Sequence, residues 1–345
     1  MKKILVVCAA ITLSCFLVRA QEAEDTGRGA GLSIIPRLDA GILHSDETSF
    51  SFGNTSLYTL FEGNITENWS FSVANHWGAS DWGGTSFEDG ILTPTADLYN
   101  LYLPFSGESG NNFLDWAYIT YAPGSWAFSL GKMPLIVGGF EFDEYDFDVN
   151  PMTTTLFWNT FTVYQYGASA AWTTPNEAHT FTAQVAANQF NNSVGFGVKW
   201  NGQIGPWSTN YSVFMSKYAR PWASSDAFLP IISIGNRLDF EPFSLTVDFM
   251  NRCGDPYYTT TDLYGYTLLA TAAYAPSESF DLSARFAWND AYFELTDSYE
   301  NYYTYSLQGN WYPIDNLRIQ GCAGMMDEDF FATVGATYTF EFKLW

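Results

Sequence analysis

Residues 138–159 read GGFEFDEYDFDVNPMTTTLFWN and carry the densest charge in the chain. Glu141, Asp143, Glu144, Asp146 and Asp148 fall within eight positions, interleaved with Phe140, Phe142, Tyr145 and Phe147. Carboxylates at this density bind a cation, act as paired acids, or set a negative potential that draws cations from solution. Asp146-x-Asp148-x-Asn150 opens like a calcium loop, but Pro151 stands where that loop needs glycine. Catalysis has less to work with. His44 and His76 have Ser45, Asp46 and Asp81 nearby, yet no nucleophile elbow accompanies them, so the reading is not an enzyme. The three histidines form no His-Glu-x-x-His pattern and the cysteines no Cys-x-x-Cys, which leaves no metal site and no cofactor implied. Cys253 and Cys322 are 69 positions apart, a spacing that argues for no bridge.

Those acids need a frame, and the rest of the sequence supplies one. Phe243-Ser244-Leu245-Thr246-Val247-Asp248-Phe249 is apolar at every second residue, and 280–288 and 317–320 repeat the pattern. Period two means strands with one apolar and one polar face. The segments run about 9–13 residues, long for globular strands and right for tilted strands that cross a bilayer. Turn-forming residues such as Thr66-Glu67-Asn68, Pro123-Gly124-Ser125 and Glu241-Pro242 alternate with connections that are mostly longer, among them 45–56, 78–112 and 134–160. Short turns on one side and long loops on the other are the layout of outer-membrane barrels. Sixteen segments are counted, from 33–44 to 330–344, the count good to within two. The fold class is therefore all-β: a transmembrane antiparallel β-barrel with short periplasmic turns and long extracellular loops.

Composition and the ends agree. Aromatic residues make up 19% of the chain and charged residues 15%, against roughly 25% charged in ordinary globular proteins. Lys2 and Lys3, the apolar stretch 4–18 and Ala20 read as a secretory signal peptide over 1–20. The expected division is then a periplasmic segment over 21–32 and the barrel over 33–345. The leader takes three of the 14 Lys and Arg with it, leaving 11 against 37 Asp and Glu, a formal charge of −26. Such a surface excludes nucleic acid as a partner. Trp69, Tyr121, Trp126, Trp172, Trp288 and Trp311 gather at segment ends, as membrane-interface girdles do. The final strand ends on Trp345, an aromatic terminus of the kind the barrel assembly machinery reads.

A barrel of this size encloses water, so polar faces line it. Parity turns Ser233, Arg237 and Asp239 inward on one strand, Thr246, Asp248 and Arg252 on the next, Arg285 and Asn289 farther on, and Arg318 and Gln320 near the end. Two placements then suit the acidic run. Folded into the barrel, Phe140, Phe142 and Phe147 pack on the inner wall while the five carboxylates face water and make a negative rim opposite lumen arginines. Outside, the acids meet divalent ions between neighbouring lipopolysaccharides. The first placement makes Glu141, Asp143, Glu144, Asp146, Asp148, Arg237, Asp248, Arg252, Arg285 and Arg318 the candidate constriction and selectivity residues.

Leu130-Gly131-Lys132, Gly138-Gly139-Phe140-Glu141-Phe142-Asp143, Phe157-Trp158-Asn159 and Tyr164-Gln165-Tyr166-Gly167 resemble the middle of the phosphate-selective porins O and P, best over 113–172. The resemblance implies a sixteen-stranded, trimeric channel of the Gram-negative outer membrane, in contact with lipid and lipopolysaccharide, with its third loop folded inward. The family's anion specificity depends on many lumen lysines and arginines, and only Arg37, Lys132, Lys199, Lys217, Arg220, Arg237, Arg252, Arg285, Arg318 and Lys343 stand along this barrel. The acidic balance points instead to passive diffusion of small hydrophilic solutes with mild cation preference. A channel specific for an anion or a sugar, and a non-conducting structural or adhesive barrel, are the alternatives.

Overall fold

The computed structural model describes residues 29–44, 48–51, 55–79, 87–88, 91–92, 114–143, 155, 164–188, 193–218, 227–253, 263–293 and 298–344. Along strand His179–Asn188 the side chains alternate: Phe181, Ala183 and Val185 are exposed, while Thr182, Gln184 and Ala186 are buried. That is a soluble protein's pattern turned inside out. Val185 is 55% exposed and Gln184 2%; across the barrel Leu307 is 64% exposed and Gln308 2%. Apolar residues ring the outside because hydrocarbon surrounds them, and backbone polar groups in that band must find every partner in the sheet.

The ladder meets that demand by closing on itself. Strands β1 (Gly29–His44), β2 (Thr48–Ser51 and Thr55–Thr66), β3 (Trp69–Ala79), β4 (Leu114–Tyr121) and β5 (Trp126–Pro134) pair antiparallel in chain order. They continue through β6 (Tyr164–Thr173), β7 (His179–Asn188), β8 (Ser193–Ile204), β9 (Trp207–Tyr218) and β10 (Ala227–Phe240). The last six are β11 (Phe243–Cys253), β12 (Leu263–Ser277), β13 (Phe280–Phe293), β14 (Ser298–Ile314), β15 (Leu317–Met326) and β16 (Asp329–Tyr338, continued by Phe340–Lys343). β16 pairs back onto β1, Arg37 opposite Thr337 and Gly31 opposite Lys343, and the ring of sixteen has no open edge. Phe87–Glu88 and Ile91–Leu92 pair with each other as a separate two-stranded sheet.

Several bounds differ from those read in the sequence. β1 starts at Gly29, because Gly29–Leu32 pair with Phe61–Asn64 of β2. β2 reaches back to Thr48, where Thr48–Ser51 pair with Gly41–His44, so much of the expected first loop is strand. β12 and β14 run past their prolines, with register shifts between Tyr274 and Ser277 and between Trp311 and Ile314 that take up Pro276 and Pro313. One connection at the loop end, Asp327-Glu328, is as short as any at the turn end.

Aromatic rings gather outside at the turn end. Trp126 stands opposite Trp172, which stacks on Phe181 at 5.9 Å; Phe181 meets Trp200 at 6.2 Å, and Trp200 meets Tyr211 edge-on at 5.4 Å. Trp69 and Tyr121 extend the belt at 4.8 Å. Rings with a polar handle suit the headgroup level, so this belt marks one membrane face. No described helix is long and apolar enough to cross a membrane; the strands do the crossing.

Candidate functional site

The inward positions of β7 to β13 break the rule of a polar interior. At the level of the loop ends they carry Ala186, Phe214, Ile231, Met250, Leu269 and Ala287, all buried. What covers them is the chain leaving β5. Leu135, Ile136, Val137 and Phe142 pack with them as one cluster, with Tyr164 at its edge. The third loop therefore begins inside the barrel and follows the wall. Burying these four side chains contributes on the order of 1.5–3 kcal/mol each, which explains an apolar strip on a lumen wall.

Polar contacts fix the path. The Gln184 side chain acts as a strand residue would: its Oε1 accepts from the Ile136 N–H (3.1 Å) and its Nε2 donates to the Pro134 carbonyl (2.8 Å). Farther along, the Ser212 hydroxyl donates to the Gly138 carbonyl at 3.3 Å. Gly138 takes a left-handed conformation, φ 78°, and turns the chain into the single helical turn α1, Phe140–Asp143. On β11, the Asp248 carboxylate accepts from both leading amides of that turn, Phe140 N at 3.0 Å and Glu141 N at 2.9 Å. Gly139 on the loop and Gly235 on β10 leave the space it occupies, since a Cβ on either would overlap it. Arg237 holds its guanidinium 4.5 Å above the Phe140 ring and donates Nε to Thr246 Oγ1 at 3.0 Å.

Glu141 completes the clamp. Its side chain, 4% exposed, pairs with Arg285 of β13. It also accepts from Thr155, from N at 3.0 Å and from Oγ1 at 2.6 Å, so both arms of the loop meet on one carboxylate. This differs from the expectation that the five acids face water. Glu141 turns inward because Arg285 and Thr155 satisfy its oxygens there, and Asp248 is spent on loop amides.

The remaining candidates are spread out. Asp143 ends α1, and its side chain is outside the described residues, as are Glu144, Asp146, Asp148 and Phe147 altogether. Arg252 lies on β11 opposite Ile231 and Gly265, sharing the inward parity of Asp248, with its side chain outside the description. Arg318 belongs to another part of the wall: it shares a register row with Thr337 and Arg37 on β15, β16 and β1. There Arg37 pairs with Asp39, Gln320 donates to Asp39 Oδ1 at 3.3 Å, and Arg318 is close enough to Asp39 for a charge interaction. Among the described residues no cluster of His, Cys, Asp and Glu has the makings of a metal site, and Cys322 is a buried free thiol.

Sequence reading missed Gln184, Ser212, Thr155 and the apolar strip. The strip had left a signal: Val213-Phe214-Met215, Ile231-Ile232, Phe249-Met250 and Leu268-Leu269 are apolar on both faces where the strands otherwise alternate.

A closed sixteen-stranded ring, apolar outside and polar inside, with a loop strapped along its inner wall, is a membrane-spanning barrel of porin architecture. The sequence matches no protein-family model and no curated protein. Solved structures match over nearly the whole length. OmpF of Salmonella typhi, in complex with daunomycin, has 14% identity and a TM-score of 0.67, over 93% of this chain and all of that one. An anion-selective porin from Comamonas acidovorans gives 10% and 0.61, over 91% and 100%. The outer membrane channel DcaP of Acinetobacter baumannii gives 12% and 0.59, over 91% and 98%. At these identities the likeness is one of fold. It is to outer-membrane barrels in general, and no family match carries the finer resemblance to the phosphate-selective group.

Proposed function

We propose that the chain is a diffusion channel of a Gram-negative outer membrane, passing small hydrophilic solutes and ions, with mild cation preference. The observation that carries this reading is the clamp: an apolar strip, two wall carboxamide bonds and an ion pair hold the third loop inside a ring otherwise lined by polar residues. A barrel that served only as a scaffold would gain nothing from narrowing a lumen this way, whereas a sieve needs a rigid constriction. Cation preference rests on charge. Glu141 and Asp248 are engaged by the clamp, and the same loop carries Asp143, Glu144, Asp146 and Asp148 in sequence, within an overall excess of acid. Their potential reaches about 8 Å at physiological salt, comparable to a pore's half-width. Homotrimer formation, contact with lipopolysaccharide, and recognition of Trp345 by the assembly machinery belong to the same proposal.

Purified chain reconstituted in planar bilayers should give discrete ohmic steps. In a salt gradient the zero-current potential should have the sign of cation preference and shrink as salt rises. A potential of anion sign would remove the selectivity claim, and absence of conductance would favour a structural barrel.

A further inference from the structure

Where the ring closes, the inner wall carries a second cluster of charge, apart from the clamp. Arg37 and Asp39 share the inward face of β1 and are buried there, while Leu38 between them is 61% exposed on the outside. Register sets Arg318 of β15, Thr337 of β16 and Arg37 in one row, and Gln320, Gly335 and Asp39 in the next row toward the loops. Asp39 lies against Gly335, where a Cβ would overlap its carboxylate. It takes the Arg37 guanidinium and the Gln320 carboxamide, and Arg318 acts on it through charge. Arg285, the anchor of the loop, shares a row with Leu43, about 13 Å along the strand from Asp39. The cluster therefore lies on the turn side of the clamp.

We propose that Asp39 is a built-in anion: it fills a site for small oxyanions made by Arg37, Arg318 and Thr337, and so closes this wall to anionic solutes. The inference rests on the channel reading above and names a residue that sets its selectivity. Guanidinium groups hold a carboxylate and a sulfate or phosphate oxygen by the same charged hydrogen bonds, so the carboxylate on Arg37 stands where a solute oxyanion would. Among the described residues the cluster joins two guanidiniums to one carboxylate, a positive spot in a chain with a large excess of acid. The Thr337 hydroxyl, between the two arginines in its row, is 7% exposed and has no hydrogen-bond partner, so one donor is left over. A cluster that only fastened the last strands to the first would use that hydroxyl and balance its charge. Asp39 is tethered and bears no loss of translational freedom on binding, which gives it the advantage over any free anion. Asp281 offers the comparison. It ends the row of Asp39 on β13 and accepts from the Asn310 carboxamide at 2.8 Å, the same charge with a neutral partner.

The test uses the full-length protein in planar bilayers, with sulfate added to each side in turn at constant ionic strength of a chloride salt. Sulfate should leave the wild-type current unchanged. In Asp39→Asn it should lower the current. The zero-current potential of that variant in a salt gradient should move toward anion sign, with the anion-to-cation permeability ratio up about fivefold, the weight of one unit charge at contact distance in water. Asp281→Asn should move the potential toward zero and stay insensitive to sulfate. Adding Arg318→Gln to Asp39→Asn should remove the sulfate effect. Arg318→Gln alone keeps the Arg37–Asp39 pair and should raise cation preference; it carries the test if Asp39→Asn yields no heat-modifiable barrel. Sulfate acting equally on wild type and Asp39→Asn, or on neither, would overturn the proposal. So would Asp281→Asn responding to sulfate as Asp39→Asn does, or an unchanged potential in Arg318→Gln. A wild-type potential of anion sign would remove the cation preference proposed above, while the sulfate response of the two carboxylate variants would still decide the role of Asp39.

Discussion

Replacing Asp248 by Asn tests the clamp at its centre. In the native arrangement one carboxylate accepts two backbone N–H groups, at 3.0 and 2.9 Å, in a space cleared by Gly139 and Gly235. Hydrogen bonds to a charged acceptor contribute about 1.5–3 kcal/mol each. Asparagine fills the same volume but offers one carbonyl oxygen, so it keeps one neutral bond of about 1 kcal/mol and sets its amide N–H₂ against the second donor. Lumen water offsets part of the loss, leaving about 2–4 kcal/mol against docking. That is a thirtyfold to nearly thousandfold rise in the undocked fraction, at about 1.4 kcal/mol per tenfold. Leu135, Ile136, Val137 and Phe142 still hold the loop with roughly 1.5–3 kcal/mol each, so docking remains the major state. The expected phenotype is a folded, conducting barrel whose open-channel current flickers, and which admits neutral polymers larger than the wild-type cut-off. Single-channel recording with graded polyethylene glycols reads both. Identical noise and an identical cut-off in Asp248→Asn would refute the role given to this carboxylate.

Other outcomes follow from the same geometry. Arg285→Met leaves the buried Glu141 carboxylate with only the Thr155 donors, and should loosen the loop by an amount near the lower end of about 3–5 kcal/mol. Adding Glu141→Gln should recover part of that loss, measured as protease resistance of the segment after β5; an additive double variant would show that the pair is not coupled. Replacing Asp143, Glu144, Asp146 and Asp148 together by their amides should bring the zero-current potential in a salt gradient close to zero without changing the polymer cut-off. An unchanged potential would place the selectivity elsewhere on the wall. Val334→Arg puts a charge at a lipid-facing position that is 58% exposed on β16, and should cost about 2–4 kcal/mol if it lies near the midplane. It should lower the yield of assembled, heat-modifiable barrel, while normal yield would argue that this face does not meet hydrocarbon.

The ring was legible because its physics is local. Alternation in 243–249, proline at Pro123, Pro175 and Pro242, and rings at Trp69, Trp126 and Trp172 each speak for their own neighbourhood, and strand pairing follows from order along the chain. Ends were harder. Gly29–Leu32 and Thr48–Ser51 carry no strong pattern, and they become strands because β1 offers them partners. The clamp was legible only on one side. The aromatic residues of the acidic run announced a segment with a face to bury, and Phe140 and Phe142 do bury it. Which wall received it depended on residues 48 to 144 positions away, Gln184, Asp248 and Arg285 among them, and no spacing rule reaches that far. The doubled apolar pairs at 213–215, 231–232, 249–250 and 268–269 were the missing half of that signal, since a wall residue facing water has no reason to be phenylalanine or methionine.

The claim on which the account turns is that the chain after β5 is bound to the inner wall, and amide exchange in the intact, detergent-solubilised barrel tests it most directly. The amides of Ile136, Phe140 and Glu141 donate to Gln184 and Asp248, so they should exchange on the slow timescale of the barrel strands. Exchange of those three amides at the rate of a free peptide, with the strands still protected, would contradict it.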